Sequence, residues 1–262
     1  MTEDVRLDRR DEAATSDDVA LTFSQLGLYG RLGNNLWQIA AVIGRAIDLN
    51  LPIRLPPWSY SAAFNIPREW FRPLKPTDVD VFATVDYLKP RDERWLQDTR
   101  LWWNHREAVR TCLSPTDDVL SECYRVYPRL LENGPVTAIH VRRGDYLRFQ
   151  RYYLLPSADY YRRALGDTDP EDVIVLTDDP DWVLTEMRFL RGAQLSVDQP
   201  NIVDLACMTR CHRHVIANSS FSWWGAFLSG SDEVKYPRDW YTPEYAHLRS
   251  EYLTPSSWQP DC

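Results

Sequence analysis

The stretch Val136-Thr137-Ala138-Ile139-His140-Val141-Arg142-Arg143-Gly144-Asp145 decides the fold. It opens as a short apolar run that reads as a buried strand and stops abruptly in a polar cluster. The same arrangement recurs downstream, where Thr177-Asp178-Asp179 and Asn218-Ser219-Ser220-Phe221 each follow directly on an apolar run. Between them the chain alternates with regularity. The pattern predicts strand 136–142, helix 157–166, strand 173–177, helix 180–191, strand 193–197, helix 201–211, strand 214–218, helix 220–229 and strand 233–236. That is a doubly wound α/β, Rossmann-like half. In such a sheet the loops leaving the carboxyl ends of the strands face one crevice, so the three polar clusters converge on one ligand.

Those loops offer equipment for an anion. Arginine supplies forked, permanently charged donors to phosphate. Serines opening a helix add its unpaired N–H groups and favourable dipole. A nucleoside diphosphate fits both. Strand alternation sends His140 and Arg142 to one face and Val141 to the other. Asp179, just before Pro180, reads as a helix N-cap, which leaves Asp178 to accept from a ribose or a base. Plainer readings stay open: a solvated Arg–Asp pair at the strand end, and a helix cap for Ser219 or Ser220.

Upstream, residues 1–20 are acidic and small and read as a disordered tail. Leu26 to Tyr29 reads as the end of a first strand, Gly30-Arg31-Leu32-Gly33-Asn34 as a tight loop, and Asn35 to Asp48 as a helix with Leu36, Ile39, Ala40, Ile43 and Ile47 on one face. Ile53 to Leu55 follows as a short strand. Residues 56–94, full of prolines and aromatics, read as an irregular acceptor-binding surface. A helix over 115–132 ends at Asn133-Gly134-Pro135, a stop and linker. The expected organisation is therefore a tail (1–20), an N-terminal acceptor-side domain (21–135) and a C-terminal donor domain (136–262), whose last segment, from Pro237, crosses back to the first.

A net charge of −8 over 262 residues argues against a broad nucleic-acid surface. No window reaches the roughly 18 to 20 apolar residues of a membrane helix, and Met1 to Asp18 lacks the apolar centre of a signal peptide. A cytoplasmic protein is expected, with peripheral association at the inner membrane as the alternative. Five cysteines without a tight framework fit reduced thiols, and without a secretion signal the sequon at Asn218 reads as empty. Cys207, Cys211, His212 and His214 raise zinc, but the histidines fall where helix gives way to strand and no second ligand pair with finger spacing follows. The eleven tryptophans and fourteen tyrosines suit a core and also carbohydrate, which packs on flat aromatic faces.

Taken together, Gly30-Arg31-Leu32-Gly33-Asn34-Asn35, His140-Val141-Arg142-Arg143-Gly144-Asp145-Tyr146, Thr177-Asp178-Asp179 with Trp182, and Cys211 through Ile216-Ala217-Asn218-Ser219-Ser220-Phe221-Ser222-Trp223-Trp224-Gly225-Ala226 resemble the α-1,2-fucosyltransferases of glycosyltransferase family 11. Asn35 departs from the usual Gln, Trp37 from the common Phe, and residues 56–135 align with nothing. The resemblance implies a two-domain GT-B-like fold and GDP-fucose as donor substrate. It also implies inversion at the sugar carbon, no metal or cofactor, and a galactose-terminated acceptor such as lactose. On the matching positions it implies Arg142 at the β-phosphate, His140 at the nucleotide, and Arg143 holding the architecture through Asp145. Ser219, Ser220 and Phe221 would lie at the diphosphate and base, Asp178 at the guanosine, and Arg31, Gly33 and Asn34 would approach from the first domain. Asp145 is a candidate general base, with Glu69 and Asp86 as others, and Asn34 can orient a substrate but not take its proton. Two alternatives remain: a related inverting transferase with another GDP-sugar or linkage, and a binding protein that holds a nucleotide sugar without transferring it.

Overall fold

The computed structural model describes residues 19–87, 94–248 and 252–261. The expected tail lies almost wholly outside them. The first half holds β1 (Leu21–Thr22), α1 (Leu32–Leu49), β2 (Val79–Asp80), α2 (Arg106–Leu113) and α3 (Asp117–Val126). The second holds β3 (Thr137–Val141), α4 (Ala158–Leu165), β4 (Val173–Thr177), α5 (Pro180–Glu186), β5 (Gln194–Leu195), α6 (Asn201–Arg210), β6 (Arg213–Val215), α7 (Ser220–Ser229), β7 (Val234–Tyr236) and β8 (Gln259–Pro260). The protein is α/β, with every strand pair of the main sheet parallel.

The alternating half forms as its pattern predicts, with shorter strands. Its six strands run β5-β4-β3-β6-β7-β8. The chain moves outward from β3 through β4 to β5 and then crosses back to β6 on the other side of β3. That reversal is the topological switch point, and it separates the loop after β3 from the loop after β6. Alternation along β3 puts Ala138 in the core layer shared with α1, α6 and α7, while Ile139 and Val141 face the layer formed with α4 and α5.

The first half departs further from expectation. Leu26 to Tyr29 is a run of turns rather than a strand, because Gly27 and Gly30 sit at φ 81 and 77 and the backbone closes through Leu26 N–H to Phe23 O. α1 starts at Leu32, three residues early, so Gly33 and Asn34 lie in its first turn rather than in a loop. Residues 53–55 make isolated bridges only, Ile53 to Leu21 and Leu55 to Phe71, since Pro52, Pro56 and Pro57 remove donors on either side. The helix expected over 115–132 is α3 followed by a short 3-10 turn at Pro128–Leu131, and α2 precedes it unforeseen. α3 packs on α6 of the second half.

One core binds the halves. Trp37 of α1 is fully buried against Trp223 and Trp224 of α7, with ring centroids 4.3 and 5.3 Å away, and against Trp102 at 5.6 Å. The last segment touches the first half, where Tyr252 O accepts from Thr99 Oγ1 at 2.5 Å, and then returns to add β8 to the sheet edge. No helix among the described residues is long and apolar enough to cross a membrane.

Candidate active site

The switch point opens into a cleft of about 520 Å³. It is lined from the sheet by His140, Arg142, Asp145, Asp178, Ser219, Ser220 and Phe221, and from the first half by Arg31, Gly33 and Asn34. Of the residues expected at the donor site, Arg143 alone is missing from the lining, and of the candidate bases Asp145 lines it while Glu69 and Asp86 do not.

The floor is the meeting of two helix N-termini. A Cβ on Gly33 would come within 2.6 Å of Phe221 N and 2.7 Å of the Ser220 carbonyl carbon, so only glycine lets α1 approach α7 this closely. The N–H groups that open a helix have no i−4 carbonyl within it; here Asn34 N donates to the N-cap carbonyl of Arg31 at 2.9 Å, and Phe221 N to a side chain. Ser219 is the N-cap of α7, its Oγ accepting from Phe221 N at 3.3 Å, which is the plainer of its two readings. The Ser220 side chain makes no hydrogen bond among the described residues and borders the cleft.

Arg142 leaves the end of β3 on the His140 face. Its guanidinium is clamped between two carboxylates: Nη2 donates to Asp145 Oδ1 at 2.5 Å, and Nη1 forms an ion pair with Asp178 Oδ2 at 2.7 Å. Asp145 also pairs with Arg31 at 3.3 Å. One expectation is corrected here. Arg143 does not pair with Asp145. Strand alternation turns it the other way, where Nε donates to Asp179 Oδ2 at 3.0 Å and the guanidinium lies 4.1 Å from the Trp182 ring centroid. Asp178 lines the cleft as expected and also has partners within the protein. Besides holding Arg142 it accepts from the N–H groups of Arg143 and Gly144, at 2.8 and 3.1 Å, and so fixes the turn that aims Arg142. Asp179 is the helix cap expected, accepting from Trp182 N at 3.2 Å.

His140 is buried, its ring 5.2 Å from that of Phe221. Its Nδ1 is buried without a partner among the described residues. Burial, with the neighbouring Arg142 charge, lowers its pKa to about 3, so the ring is neutral near pH 7. His214, also fully buried, is lowered to about 4 by desolvation. Unfolding lets both return toward 6.5. The unfolded chain therefore binds more protons below that pH, and stability that is complete above it is lost as pH falls toward 4. At pH 5 each ring costs on the order of 2 kcal/mol. Chemical denaturation at pH 7 and pH 5 is expected to show the loss, and His214→Gln, which cannot titrate, to show a smaller one. Equal stability at both pH values would contradict a neutral buried pair.

Gln97 and Asp204 escaped the sequence reading, and Asn218, quoted there within its motif, was given no role of its own. Asn218 is buried, and its amide donates to Leu154 O and Trp240 O, each at 2.7 Å, pinning two loops to the start of α7. Gln97 Nε2 donates to Asn34 Oδ1 at 2.9 Å. Asp204 accepts from Tyr127 OH at 2.5 Å and Ser196 Oγ at 2.8 Å, and burial raises its carboxyl above the ordinary value. A single acid among the apolar residues of α6 was the available signal. Glu69 and Asp86 are exposed and do not line the cleft. The suspected zinc residues serve the backbone: Cys211 Sγ donates to Cys207 O, His214 Nε2 bonds Met208 O, and His212 Nδ1 accepts from Val136 N.

The sequence model of glycosyl transferase family 11 matches residues 105–259, which is more than half of the protein and includes every loop on the sheet side of the cleft. The chain belongs to glycosyl transferase family 11. Among curated proteins it is 30% identical over 181 residues to the O-antigen biosynthesis glycosyltransferase WbnK of Escherichia coli, covering 63% of this chain and 58% of that protein. It is 28% identical over 179 residues to an Escherichia coli α-1,2-colitosyltransferase, covering 62% and 59%. It is 28% identical over 242 residues to galactoside α-(1,2)-fucosyltransferase 2 of Oryctolagus cuniculus, covering 78% and 66%. The matches thus span less than two thirds of these relatives' own lengths. The fold of the protein is GT-B-like. A solved fucosyltransferase of that fold, a mutant of Arabidopsis thaliana FUT1 in complex with GDP, superimposes with a TM-score of 0.50 at 13% identity, covering 82% of this chain and 69% of that one.

Proposed function

We propose that the protein transfers L-fucose from GDP-fucose to the 2-hydroxyl of a terminal galactoside, with inversion and without a metal. The observation that carries the reading is Arg142, held by two carboxylates at the switch point and bordering a cleft floored by two helix N-termini. As the bond from the sugar carbon to the β-phosphate breaks, negative charge gathers on the departing GDP, and preorganised donors aimed at that charge lower the barrier. Arg142, the α7 N-terminus and the Ser220 hydroxyl are those donors. An acceptor hydroxyl attacks from the opposite face of the sugar as the bond to the β-phosphate breaks, which inverts the carbon, and the hydroxyl's proton is released to solvent. In this reading Asp145 and Asp178 are positioning residues for Arg142, and neutral His140 offers its ring nitrogens to the nucleotide without adding charge.

The α-1,2 linkage and the galactoside acceptor rest on the family resemblance and on what the names of the relatives say of those proteins. The colitosyltransferase relative favours a second reading, in which the same nucleotide carries a different deoxy sugar.

Incubating the purified protein with GDP-fucose and lactose in the presence of EDTA is expected to yield a fucosylated trisaccharide and an equal amount of GDP, read by mass spectrometry. Free fucose and GDP without trisaccharide would contradict the acceptor. An untouched donor would contradict the reading as a whole.

A further inference from the structure

The cleft has two chemically different ends. On the β4 side its wall is polar, made by Thr177, Asp178, Asn201 and Asp204. On the β7 side it is aromatic, made by Tyr146, Phe149, Tyr153, Trp240 and Tyr241. The α7 N-terminus lies between them. A nucleotide sugar with its diphosphate there and its nucleoside toward the polar wall extends its sugar toward the aromatic one. In-line displacement then requires the attacking hydroxyl on the far side of the sugar carbon from the phosphate. That place is the aromatic rim.

The rim is built rigidly. Tyr146 and Tyr153 stack with centroids 4.2 Å apart and planes within 12°. Tyr153 bridges to Tyr241 through the backbone, and their rings lie 5.4 Å apart. The Asn218 amide ties both strips to α7, and Tyr146 OH donates to Asn218 O at 3.2 Å. The aromatic end is therefore fixed in register with the helix that would hold the diphosphate. Phe149, on the turn that follows Arg142, keeps 47% of its surface exposed at the mouth. A galactose ring suits such a wall, because its axial 4-hydroxyl leaves the hydrogens on carbons 3, 4 and 5 together on one apolar face, which packs flat on an aromatic ring.

We propose that Phe149, together with the Tyr146–Tyr153–Tyr241 stack that lines the same cleft, is the subsite for the acceptor's galactose ring. The inference rests on GDP-fucose being the donor. It moves acceptor recognition from the irregular first half, where the sequence suggested it, to the loops of the donor half. Because L-fucose is 6-deoxy-L-galactose, whose ring mirrors that of D-galactose and offers a comparable apolar face, the test must separate donor from acceptor.

Phe149→Ala and Phe149→Trp are compared with the wild type in steady-state transfer to lactose, with GDP affinity measured by calorimetry. The Ala variant is expected to raise the KM for lactose roughly five- to tenfold, leaving the KM for GDP-fucose and the affinity for GDP within about twofold. The Trp variant is expected to restore the lactose KM. A raised KM for GDP-fucose with an unchanged one for lactose would assign the wall to the donor sugar and overturn the proposal. An unchanged lactose KM in an actively transferring Ala variant would overturn it alone. A wild type that leaves GDP-fucose untouched would overturn the donor reading and this one with it.

Discussion

Arg142→Ala is expected to lower kcat for transfer by a factor on the order of 100 to 1000, the usual cost of removing one preorganised donor from a developing negative charge. The clamp makes the loss more than a missing cation. Without the guanidinium, Asp145 and Asp178 are left as neighbouring negative charges lining the cleft that must accept a diphosphate, so the affinity for GDP is expected to fall as well. Arg142→Lys is expected to recover little of either, because a single ammonium cannot span two carboxylates and still present a flat fork to phosphate. The measurements are kcat and KM for both substrates, with circular dichroism to establish that the fold persists. Near-normal turnover by Arg142→Ala would remove the residue from the reaction.

Trp37→Ala is expected to be the most costly truncation in the core, at about 3 to 5 kcal/mol. The side chain is fully buried between the halves, and three tryptophan rings lie within 5.6 Å of its own. Deleting it opens a cavity where α1 meets α7, one helix turn from the Gly33 contact that forms the cleft floor. Chemical denaturation measures the loss. A cost below about 1 kcal/mol would mean that the halves do not depend on this cluster.

The doubly wound half was legible because its signals are local. Apolar runs such as 137–141 and 173–177 have strand length and end in polar loops, and that grammar survives in a single sequence. The site was legible for the same reason, since topology alone carries the ends of β3, β4 and β6 to one edge. The side-chain partners were not. That Asp178 would serve Arg142 and the Gly144 turn, and that Asp145 would pair with Arg142 instead of Arg143, depends on which face each arginine takes once the strand ends. The first half was least legible. Its prolines and positive-φ glycines interrupt every strand signal, and its order comes from tertiary contact, as with the buried Asn35 amide that accepts from Trp58 Nε1 and donates to Gln38 Oε1. The aromatic rim was legible only as a surplus of tyrosine and tryptophan, because stacking between Tyr146 and Tyr153 leaves no periodic trace.

The most direct test of the account is the NMR spectrum of the product formed from GDP-fucose and lactose. The account predicts one fucose in α linkage to the galactose 2-oxygen, an anomeric configuration opposite to that of the donor. A β-linked fucose would contradict inversion, and the absence of any fucosylated product would contradict the function assigned to the cleft.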